Sequence, residues 1–161
     1  DYEKAKWLNH KYISNIKTSD LLNKNIIRCE LDGCPGEKHE EIVRLVKERL
    51  YTLNDFKKEV SFLKDPKRFD ERAVEKLKIK NPLPILNKIH FLVKNNDDSF
   101  NIKTPLFEWA KSENIPLGLV MQSLRLCLIG DLTGPDVFAV CSVLGKGVIL
   151  KRVENFINYI K

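Results

Sequence analysis

The chain has 161 residues, 43% hydrophobic and 31% charged, enough for one domain or two small ones with a packed core and unlike a disordered chain. No apolar run reaches membrane length and no secretory leader is recognisable, so a cytoplasmic protein is expected. A net charge of +6 permits an anionic partner such as nucleic acid without requiring one, and there is no polybasic tail.

Seven glycines and seven prolines, with apolar residues mostly at helical spacing, predict an all-α chain. The first helix, Tyr2 to about Ile16, sets Trp7, Leu8, Tyr12 and Ile16 on one face. Thr18-Ser19-Asp20 offers a cap for a second helix to about Leu31. Gly33-Cys34-Pro35-Gly36 is a break. A third helix, Glu37 to Leu50, turns Ile42, Val43, Leu45, Val46 and Leu50 inwards. Thr52-Leu53-Asn54-Asp55 resembles a capping box, with aspartate in the glutamate place, for a helix to about Leu63. Lys64 to Asp70 is polar, holds Pro66 and ends in a predicted N-cap, which divides the chain into a first subdomain, 1–70, and a second, 71–161.

Beyond that boundary, helices are expected over 71–80 and about 84–95, followed by a polar loop, Asn95 to Ser99. Thr104-Pro105 suggests a cap and first turn for a helix to about Glu113. An apolar helix carrying Arg125 ends at Gly130, the next starts at Pro135 and ends at Gly145, and a last amphipathic helix runs from about Lys146 to Ile160. The expected architecture is two small helical subdomains.

Chemistry is sparse. Cys127 and Cys141 lie in apolar runs and read as core residues. Cys29 and Cys34 flank a turn with no second ligand pair, a poor zinc site. His10, His39 and His90 lie in different helices with nothing near in sequence to orient them. There is no phosphate-cradling glycine loop and no nucleophile elbow. No catalytic residue and no metal site is assigned. The chain starts at Asp1 and its one methionine is Met121, so a piece of a longer protein is expected.

Binding candidates remain. Arg49 closes a helix, where it either offsets the helix dipole or reaches a ligand. Arg125 sits amid apolar residues, where an unpaired guanidinium is costly. It must reach water, a ligand or a carboxylate, and Asp131 and Asp136 are the nearest carboxylates in sequence. Gly134-Pro135 at a helix start either caps the helix or leaves amide donors for an anion or base edge. Trp7 and Tyr12 could stack on bases, but core packing is the simpler role at helical spacing.

The stretch 118–145 holds Val-Met-Gln-x-Leu-Arg at 120–125, Gly130, Gly-Pro-x-x-Phe at 134–138 and Leu-Gly at 144–145. It resembles the C-terminal anticodon-binding region of bacterial glutamyl-tRNA synthetases, whose pattern reads roughly V-M-Q-P-L-R-V-A-L-T-G, then G-P-x-L-F-E-I, then L-G. Residues 4–13, K-A-K-W-L-N-H-K-Y-I, look like the family's K-L-x-W-x-N-x-x-Y-I, and residues 48–56 are similar to its R-x-x-T-L-x-x-F. The matches follow family order over essentially the whole chain.

The resemblance implies two helical subdomains forming an anticodon-binding α-helix cage, with the site between the halves. It implies that Arg49 and Arg125 contact anticodon bases, that the turn of Thr133, Gly134, Pro135 and Val137 lines the pocket, and that Arg49 goes with preference for glutamate tRNA over glutamine tRNA. It further implies a monomer whose partner is tRNA(Glu), with no cofactor here. ATP and magnesium would belong to the catalytic domain of a parent glutamate–tRNA ligase, whose HIGH-type and KMSKS-type motifs are absent from this sequence. Where the family has proline, alanine, threonine, leucine and glutamate, this chain has Ser123, Cys127, Ile129, Val137 and Ala139. The readings set against this one are an all-α protein-interaction module with structural arginines and, further off, an autonomous enzyme.

Overall fold

The structure, a computed structural model, describes residues 1–97 and 99–161; the expected polar loop over 95–99 includes Asp98, outside the described residues. Among the described residues there are eleven α-helices and no strand. The chain divides into two compact units, Asp1–Leu63 and Lys64–Lys161.

The first unit opens with α1, Tyr2–Asn15, which buries Ile13 and leaves Trp7, Leu8 and Tyr12 exposed. The expected apolar face of this helix is therefore its outer face. One long second helix was expected; instead α2, Thr18–Leu22, and α3, Asn25–Leu31, are separated at Asn23-Lys24. Neither has a side-chain cap, and Thr18 to Asp20 lie inside α2 rather than before it. The break lets Leu21, Ile27 and Leu31 all reach the core.

Gly33, at φ 84°, supplies the left-handed turn that leads to α4, His39–Val46. The expected helix over 37–50 is α only in this middle part, with 3-10 turns at Gly36–Lys38 and Lys47–Arg49. Tightening the ends brings Leu50 inwards with Ile42, Val43 and Val46. The Thr52/Asp55 capping box forms, with Asp55 Oδ2 accepting from the Thr52 amide at 2.7 Å. The helix it opens is short: a 3-10 turn, Leu53–Asp55, then α5, Phe56–Glu59, then another turn, Ser61–Leu63. Phe56, Val60 and Phe62 are thereby buried together.

In the second unit, Asp70 caps α6, Glu71–Ile79, by accepting from the Ala73 amide at 3.0 Å. Then come α7, Leu83–Asn95, and α8, Lys103–Ser112. Thr104-Pro105 is not a cap, because a 3-10 turn ending at Ile102 leads straight into α8. α9, Leu117–Ile129, is the central helix and touches α6, α7, α8 and the last two helices, α10, Val137–Leu144, and α11, Lys146–Ile160. Its Leu124, Leu126, Cys127 and Leu128 sit in the core with Leu86, Ile89, Phe138, Val153 and Phe156.

Gly130 ends α9 in the left-handed conformation, φ 84°. Its carbonyl accepts from the Asp70 amide at 2.8 Å, and a Cβ there would lie 2.5 Å from the Arg68 carbonyl oxygen. Only glycine permits both the dihedral and this approach. The Lys64–Asp70 segment is thus fastened to the end of the helix that carries Arg125.

Candidate nucleic-acid interface

In the first unit, the 3-10 turn after α4 delivers Arg49 to the surface, 40% exposed on its side chain. Its Nε donates to Glu59 Oε2 at 2.5 Å, and Glu59 is only 13% exposed. The arginine is therefore held by a carboxylate ten residues on, not simply set at a helix end. An ion pair this exposed adds little stability, about 0–1 kcal/mol. What it fixes is direction: the bond uses Nε, and the two terminal nitrogens have no hydrogen-bond partner among the described residues. Arg49 borders a groove of about 560 Å³ whose lining includes Lys6, Tyr51, Thr52 and Lys58.

In the second unit, α9 presents Arg125 partly buried. Neither expected carboxylate takes it. Asp131 Oδ1 instead accepts from the Thr133 amide at 2.8 Å and hydroxyl at 2.9 Å, and Asp136 Oδ1 caps α10 by accepting from the Ala139 amide at 2.8 Å. Arg125 Nη1 is buried without a hydrogen-bond partner. The Gly134 turn lies against it. Gly134 takes φ 140°, and a Cβ there would sit in van der Waals contact with Nη1, at 3.7 Å.

The other turn residues divide. Thr133 is exposed and Pro135 buried. Pro135 precedes the Asp136 cap instead of starting α10 as expected. Val137 is fully buried in the core, because it is the first residue of the most apolar helix. Its side chain is thereby removed from the candidate surface.

The histidines are all engaged: His10 Nδ1 with the Leu50 carbonyl at 2.9 Å, His39 Nε2 with the Cys34 carbonyl at 2.9 Å, and His90 Nε2 with Glu154 at 2.8 Å. No group of three or more potential metal ligands occurs among the described residues. Nor is any described helix long and apolar enough to cross a membrane.

The family model described as "Anticodon binding domain" matches residues 5–157. The chain belongs to this anticodon-binding family. It is 32% identical to the glutamate–tRNA ligase of Flavobacterium johnsoniae, covering 98% of the chain and 32% of that protein. A crystal structure of a glutamate tRNA ligase from Elizabethkingia meningosepticum superposes with a TM-score of 0.88 at 27% identity, over 100% of this chain and 33% of that one. Glutamate-tRNA synthetase from Elizabethkingia anophelis gives 0.80 at 26% identity, over 98% and 32%. The chain spans about a third of the length of the curated relatives it matches.

Two features of this anticodon-binding domain escaped the sequence. Arg152, 2% exposed, is one; its place beside Ile149, Val153 and Phe156 on the apolar stripe of α11 was the available signal. Tyr51, 43% exposed beside Arg49, is the other, and no spacing marks it.

Proposed function

We propose that this domain recognises the anticodon loop of tRNA(Glu) as part of a glutamate–tRNA ligase. The observation that carries the reading is Arg125: a guanidinium nitrogen out of water, without a protein acceptor, beside a glycine turn. A lone buried donor is costly unless something accepts from it in the bound state. A base edge supplies acceptors for a planar fork. Arg49 presents a second fork, and Thr133 and Gly134 offer a surface next to the first. In such a ligase the parts beyond this domain would bind ATP, magnesium and glutamate, with a monomeric chain working in the cytoplasm.

The test is titration of the domain with a glutamate-tRNA anticodon hairpin at several salt concentrations. Affinity falls steeply as salt rises, and Arg49→Ala and Arg125→Ala each weaken binding by about 1–3 kcal/mol. Binding by both variants as tight as wild type would overturn the assignment of both arginines, whereas a wild-type domain that does not bind the hairpin would favour the protein-interaction module.

A further inference from the structure

We propose that Tyr51 is the floor of a single-nucleotide pocket in the first unit, where a base stacks on its ring while the free fork of Arg49 donates to the base edge. This deepens the anticodon reading and rests on it.

His10 and Lys6, one turn apart on α1, both pack on the ring, and Lys6 also lines the groove. His10 lies 4.9 Å away between ring centroids, and Lys6 Nζ lies 4.8 Å from the Tyr51 centroid. The backbone is held as well: the Tyr51 amide donates to Asp55 Oδ2 at 3.0 Å, and its carbonyl accepts from Asn9 Nδ2. Such a residue loses little freedom when a ligand covers it. Yet it stays 43% exposed at the edge of a groove of about 560 Å³, the scale of small-ligand sites.

The charges choose the ligand. Lys6, Arg49 and Lys58 are matched around the groove by Glu48, Asp55 and Glu59. A bare phosphate would meet three carboxylates. A neutral planar base meets an aromatic face and, from Arg49, two donors in one plane. Glu59, by taking Nε, aims that fork and is the positioning residue. A base offering two adjacent acceptors fits best.

The experiment is a cycle of protein and RNA changes. The whole chain, Tyr51→Leu and Tyr51→Phe are titrated with the glutamate-tRNA anticodon hairpin and with three hairpins, each abasic at one anticodon position. Tyr51→Leu is expected to weaken binding of the intact hairpin about 5- to 150-fold, the loss of one stacked base, while Tyr51→Phe binds like wild type. On one abasic hairpin the leucine penalty disappears. A penalty equal on all hairpins, or none at all, overturns the pocket while leaving the anticodon reading intact. Failure of wild type to bind the intact hairpin overturns the anticodon reading and the pocket with it. If Tyr51→Leu unfolds, wild type is cross-linked to hairpins carrying 5-iodouridine at each loop position. An adduct on Tyr51 upholds the pocket, and adducts only elsewhere overturn it.

Discussion

Arg152 and Asp65 tie the last helix of the second unit to its first residues. Arg152 Nε donates to Asp65 Oδ1 at 3.1 Å, while its Nη1 donates to the Leu128 carbonyl at 2.7 Å, in the final turn of α9. Lys151 reaches the other oxygen of Asp65 at 2.6 Å. One buried guanidinium thus links α11, the 64–70 segment and the helix that carries Arg125.

Asp65→Asn should therefore destabilise the domain. Removing the charge takes this carboxylate away from the buried Arg152 guanidinium, a loss that costs about 3–5 kcal/mol in a fully buried pair. Asp65 is half-exposed, so solvent screening reduces this to about 1–3 kcal/mol. The effect depends on pH. Hydrogen bonding by Lys151, and then by Arg152, holds the Asp65 carboxyl below the usual carboxylate range despite some desolvation. A depressed folded-state pKa stabilises above the unfolded value and is lost as pH falls through the folded one. Urea unfolding of both proteins should show the full gap above about pH 5, closing below about pH 4. A gap that stays constant down to acid would show that the Asp65 charge is not what stabilises.

Gly130→Ala should be more harmful than its small size suggests. The added methyl requires a left-handed alanine, at about 1–2 kcal/mol, and meets the Arg68 carbonyl, so the backbone must shift. A loss above about 2 kcal/mol in chemical denaturation is expected. Gly118→Ala, inside α9 with open space around it, is the control and should be neutral or stabilising by up to about 1 kcal/mol.

Arg125→Met should separate stability from binding. Methionine keeps the stem's packing and removes a buried donor that the protein leaves unpaired. Thermal stability should stay level or rise, while affinity for the anticodon hairpin falls by about 1–3 kcal/mol. A variant that unfolds at markedly lower temperature would mean that Arg125 has a structural role.

The thiols should react in order of exposure. Burial raises the Cys127 thiol well above its ordinary value and pushes Cys141 up to about 12. Cys29 is exposed. Iodoacetamide at neutral pH should label Cys29 in the native protein and reach Cys127 and Cys141 only on unfolding, as read by peptide mass spectrometry. Native labelling of Cys141 would show that α10 opens readily.

The sequence alone marked several of the places where the chain turns or a helix begins. Gly33, Gly130 and Gly145 stop or redirect the backbone because each takes a positive φ, and Asp70 and the Thr52/Asp55 box declare themselves because capping is local chemistry. Both arginines also stood out in the sequence, and the spaced motifs carried the family. Periodicity, however, says which residues share a face and not whether that face is covered. Tertiary structure decided that Trp7 and Tyr12 look outwards, that Val137 is sealed in the core, and that the helices expected after Thr18, Glu37 and Thr52 break into shorter pieces. It also decided that Asp131 Oδ1 and Asp136 Oδ1 accept from the turn and the α10 cap, while Arg125 Nη1 is buried without an acceptor. Those outcomes depend on which segments distant in sequence arrive beside them, a matter of three-dimensional packing that local pattern does not encode.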